Sequence, residues 1–81
     1  MGPENPSVVG LQVAQAVEFV RALHVHLRKM TSQLAWIERQ ALISRNAQAD
    51  AMRLEAAALR RDINEAQTLI DRLHIRYLNA N

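Results

Sequence analysis

The chain has 81 residues, enough for one domain at most. It is 49% hydrophobic but 4% aromatic, with two Gly, two Pro and no Cys, a composition that leans helical and excludes disulfides and thiolate metal sites. Ten Lys and Arg against eight Asp and Glu leave a formal charge of +2, and the signs alternate along the chain, which reads as solvated helix faces rather than a nucleic-acid stripe.

The opening MGPENPSVVG lacks the basic and apolar regions of a secretory signal. Its Gly2, Pro3 and Pro6 predict a disordered lead over residues 1–7, with Ser7 as the N-cap of a first helix. From Val9, steps of four and three reach Val13, Ala16, Val20, Leu23, Leu27, Met30, Leu34, Ile37 and Ala41, and every one is apolar. That rhythm predicts a helix over about 8–44 with a single apolar seam. Continuing it lands on Ser44, Gln48 and Glu55, which are polar. A second seam sits one residue later: Ala49, Met52, Ala56, Leu59, Ile63, Ala66, Ile70, Leu73, Tyr77 and Ala80.

One straight helix would have to turn its apolar face by about 100° between the two seams. The bridging SRNAQAD holds Ser44 and Asn46, which favour turns and N-caps, and Asp50, placed for the positive end of a following helix. The spacing therefore predicts an all-α fold: an antiparallel two-helix hairpin over residues 8–80, with a turn at about 45–47 and a second helix over about 47–79. Its layers pair outward from the turn as Ala41–Met52, Ile37–Ala56, Leu34–Leu59, Met30–Ile63, Leu27–Ala66, Leu23–Ile70, Val20–Leu73 and Ala16–Tyr77.

Two helices bury one stripe each, and a chain this small calls for a metal, a disulfide or a partner. One flank of the hairpin is polar, carrying Val17, His24, Thr31, Glu38 and Arg45 opposite Arg53, Arg60, Gln67 and His74, with Glu38 able to meet Arg53 or Arg60. The other brings Phe19, His26, Gln33 and Gln40 beside Glu55, Asp62, Leu69 and Arg76. Ala22, Trp36 and Ile43 stand one step further round the first helix. Phe19, Ala22, His26, Trp36, Ile43, Leu69 and Arg76 are therefore the candidate partner-binding residues, with Arg76 placed to stack on Phe19.

Other chemistry is poorly served. In HVH, His24 and His26 point to nearly opposite helix faces and cannot clasp one ion. His24 and His74 share a flank, but no carboxylate or thiol completes a ligand set, so neither metal nor cofactor is expected. The sequence has no glycine-rich phosphate loop or nucleophile elbow, and a hairpin offers no concave site, so no enzyme activity is expected. Arg28, Arg53, Arg60, Arg61 and Arg72 are diluted by Glu55, Asp62, Glu65 and Asp71, which argues against nucleic acid. Charges interrupt every apolar run, and the polar face is mixed, which argues against a membrane.

The stretch LRRDINEAQTLIDRLHIRYLNAN resembles the small E-type needle co-chaperones of bacterial type III secretion systems, the EscE, SsaE and PscE group. The matching points, without a gap, are Leu59, Ile63, Ala66, Ile70, the pair Arg76–Tyr77 and Asn79. The resemblance implies a non-enzymatic helical hairpin of the bacterial cytoplasm that joins a larger tetratricopeptide-repeat-like chaperone. Through it, the pair keeps the needle subunit monomeric. A second reading stays open from the residues alone: a self-associating structural or regulatory four-helix bundle, homodimeric in isolation, with RNA contact through its arginines as an optional addition and no nucleic acid expected.

Overall fold

The computed structural model describes the backbone of residues 4–78 and the side chains of residues 9–78. Over these residues the chain is an all-α hairpin. Helix α1 (Glu4–Ile43) is joined through Ser44 and Arg45 to helix α2 (Asn46–Leu73), which closes in a π-helical turn, His74–Leu78. The two helices lie side by side in a rod of 69 × 17 × 16 Å.

Burial follows the two seams. Ala16, Val20, Met30 and Ile37 of α1 and Ala49, Ala56, Ala66 and Ile70 of α2 are the buried apolar side chains. Val13, Leu23, Leu27, Leu34 and Ala41, with Met52, Leu59, Ile63, Leu73 and Tyr77, are half-buried beside them. Four of the eight buried residues are alanines, so the axes can approach closely, but no large side chain is wholly enclosed. Among the described residues the core holds no polar or charged side chain, so nothing polar has to be satisfied inside it.

The start of α1 departs from the expected lead. Helix begins at Glu4, and Ser7 lies within it rather than capping it. Pro6 does not prevent this, because in a first helical turn its missing N–H has no intrahelical partner to lose. Residues 1–3 lie outside the described residues. Val9, the first seam position, is 59% exposed. Burial of the seam fades toward this end, from Ala16 (buried) through Val13 (half-buried) to Val9.

The turn is shorter than the spacing predicted, and its chemistry differs. The Ser44 amide still donates to the Gln40 carbonyl at 3.0 Å. Arg45 then takes the extended N-cap position (φ −135°, ψ 160°) with no side-chain cap bond, so neither Ser44 nor Asn46 caps α2. Asn46 instead adopts a positive φ of 66°, a left-handed conformation that Asn tolerates better than most residues. It does the work of the glycine that SRNAQAD lacks. The Ser44 hydroxyl reaches the Met52 sulfur at 3.6 Å, a weak tie between the end of α1 and the start of α2. Asp50 stands beyond the first turn of α2 and pairs with Arg53 at 2.9 Å instead of facing the helix end.

The far end of α2 also breaks its pattern. The π-helical turn widens the helix, so the phase of the seam slips and Leu78 becomes half-buried together with Tyr77. Asn79 and Ala80, the last positions of the expected helix and seam, lie outside the described residues.

Two predictions follow from the packing. In urea melts, Ile37→Ala and Ile70→Ala should each cost about 2–5 kcal/mol. The half-buried Leu23 and Leu34 should lose less on the same change, and Leu42→Ala should stay within about 0.5 kcal/mol. At the turn, Asn46→Ala should cost about 1–2 kcal/mol, because a Cβ-bearing residue without a polar side chain meets the left-handed penalty. Asn46→Gly should preserve stability, and equal melts for the two variants would contradict the turn geometry.

Candidate interaction surface

The two flanks of the rod are chemically unlike. On the first, Glu38 and Arg60 form an ion pair that joins the helices, as their seam-flanking positions allow. Arg53 turns to Asp50, and Arg21 pairs with Glu18 at 2.8 Å. The Thr31 hydroxyl is spent locally on the Leu27 carbonyl at 2.8 Å. His24 and His74 line one groove at the open end of the hairpin, while His26 is exposed on the other flank. Among the described residues no three His, Cys, Asp or Glu come together to hold a metal ion.

The second flank carries the aromatic residues. Trp36 is 54% exposed and Phe19 is 49% exposed, and Ile43 and Leu69 also reach the surface. Ala22 and His26 are exposed between them. Seam spacing explains this: Phe19 and His26 are one heptad apart, and Ala22, Trp36 and Ile43 fall on a neighbouring heptad row that Lys29 interrupts. From Phe19 to Ile43 the strip runs about 36 Å along α1. Trp36 overhangs a shallow groove lined by Ser32, Gln33, Ile37 and Glu55, so one edge of the groove reaches the buried seam and the other crosses to α2.

The α2 side of this surface is less continuous than the sequence predicts. Leu69 opens onto the outer face of α2, beside Arg61, Asn64, Glu65, Thr68 and Arg72. The Arg76 guanidinium stands over the Tyr77 ring, 5.4 Å from its centre, in place of the expected stack on Phe19. The cause is the π-helical turn, which sets successive side chains closer in angle than an α-helix does and turns Arg76 toward its neighbour.

Sequence reasoning missed a second apolar group at the hairpin tip. Leu42, 86% exposed, and Leu54 lie off both seams near the turn. Their signal was present, as isolated leucines at positions the seam does not claim. No family model, no curated protein and no solved structure matches this chain.

The cross-helix pair gives a direct measurement. A double-mutant cycle on Glu38→Gln and Arg60→Gln should return a coupling of about 0.2–1 kcal/mol that shrinks at high salt, since both side chains are partly exposed. A coupling indistinguishable from zero at low salt would mean that the two side chains do not hold this contact in solution.

Proposed function

We propose that the chain is a non-enzymatic binding subunit, a co-chaperone of a type III secretion system. It joins a larger helical-repeat chaperone and, through it, keeps the needle subunit monomeric in the bacterial cytoplasm. The observation that carries this reading is the exposed strip of Phe19, Trp36 and Ile43 on a rod that encloses almost nothing of its own. Apolar anchors spaced along one flank, with His26, Lys29 and Gln33 between Ala22 and Trp36, suit the concave face of a helical-repeat protein, which can meet them along its length. The resemblance of the α2 sequence supplies the kind of partner. No metal or cofactor enters this reading.

The alternative is a self-associating four-helix bundle, structural or regulatory. The exposed Leu42 and Leu54 at the hairpin tip favour it, because they add apolar surface outside the strip.

Phe19→Glu and Leu69→Glu separate the two. As a co-chaperone, each variant should lose co-purification with the larger chaperone in the bacterial host while far-ultraviolet circular dichroism keeps its helical signal, because neither residue is in the seam. As a self-assembling bundle, the same changes should shift the isolated chain from dimer to monomer in sedimentation, with no larger chaperone to lose. If neither assay responds, the strip is not the interface.

A further inference from the structure

The open end of the hairpin carries a groove on the flank opposite Trp36. Its floor is apolar: buried Val20 with half-buried Val17 and Leu78. Its walls are Arg21, His24, Arg28 and His74, and no carboxylate lines it. Arg21 pairs with Glu18 at 2.8 Å, but both side chains are exposed, so the contact contributes little and can be exchanged for a partner's carboxylate. Arg28 has no carboxylate within 4.0 Å among the described residues. The π-helical turn completes the floor, since the phase slip brings Leu78 against Val17 and Val20 of α1. The two arginines therefore stand over apolar surface at the open end of the hairpin.

We infer that this groove docks an acidic amphipathic helix of a protein partner. Arg21 and Arg28 are seven residues apart, on one side of α1 and about 10 Å apart along its axis. A partner helix lying alongside meets both with carboxylates at the same seven-residue spacing, and an apolar side chain between them fills the floor at Val17 and Leu78. The site is independent of the Phe19–Trp36 strip, which lies on the other flank. RNA would satisfy the arginines but leave the apolar floor unused. A second copy of this chain is also a poor occupant. The only carboxylates seven residues apart in this sequence are Glu55 and Asp62, and Glu55 lies beside Trp36 on the opposite flank. Docking through them would be head-to-tail and would not close into a dimer.

The test uses the full chain, labelled with nitrogen-15, and a synthetic helical peptide bearing two glutamates seven residues apart around a leucine. Titration should shift amide resonances of Val17 to Arg28 and of His74 to Leu78. Affinity should fall about tenfold or more for Arg28→Glu and again for Arg21→Glu, and should weaken as salt is raised. Arg28→Ala, a milder change at an exposed position, should give a smaller loss with the same helicity. Phe19→Glu should bind the peptide as the parent does, which keeps this result separate from the fate of the strip. Equal binding by a peptide with lysines for the glutamates would overturn the inference, as would undiminished affinity in both arginine variants. An RNA oligonucleotide that binds the same residues more tightly than the peptide would overturn it in favour of nucleic acid. A self-associated chain that Arg28→Glu dissociates would overturn it in favour of a second copy.

Discussion

The packing of α1 on α2 goes through small residues, and the rest of the molecule follows from that. Ala16, Ala49, Ala56 and Ala66 are buried where larger side chains would hold the helices apart. Close approach lets Val20, Met30, Ile37 and Ile70 fill the remaining space, in the manner of ridges set into grooves. The same choice keeps the interior thin. A two-helix rod has no third layer, so most large apolar residues off the seam stay at the surface. Trp36, Phe19, Leu42 and Leu54 are exposed for that reason, and not through a failure of packing.

The seam was legible because side-chain period is a property of the sequence itself. Twenty apolar positions in two phases allow few arrangements, and the one-residue offset after Ala41 located the reversal of the chain. Backbone decisions were harder to read. Asn46 was recognisable as a turn residue, but whether it caps the helix or takes a left-handed φ depends on how Arg45 enters α2, and both leave the same letters in the sequence. Pro6 was read as a break, yet its effect depends on whether it falls in the first turn or deeper. The π-helical turn at His74–Leu78 leaves no periodic signature, because five residues are too few to show a change of period.

The same distinction divides the surface. Positions set by the regular part of α1, such as Phe19, Ala22, Trp36 and Ile43, fall where helical spacing puts them, on one flank. Positions near the end of α2 do not, since Arg76 and Leu78 lie within the π-helical turn and take their neighbours from it. The basic groove at the open end was therefore invisible from spacing alone. His24 and His74 could be placed on a common flank, but the residue that completes the floor of their groove from the second helix is Leu78, which a regular helix would turn away.

A thin seam also ties stability to association. Each helix buries one stripe, so much of the apolar area the chain could still remove from water lies on its flanks. A partner covering the Trp36 strip would bind the folded hairpin and find no equivalent surface on the unfolded chain, where the heptad rows are not aligned. Ligand present at 100 times its dissociation constant adds about 2.7 kcal/mol to the folded state, comparable to the loss from one core alanine substitution. The hairpin can therefore remain marginal alone and become firm in a complex. Its alanine-rich packing fixes the geometry of two unlike flanks with little interior, and leaves apolar side chains such as Trp36 and Leu42 on the surface.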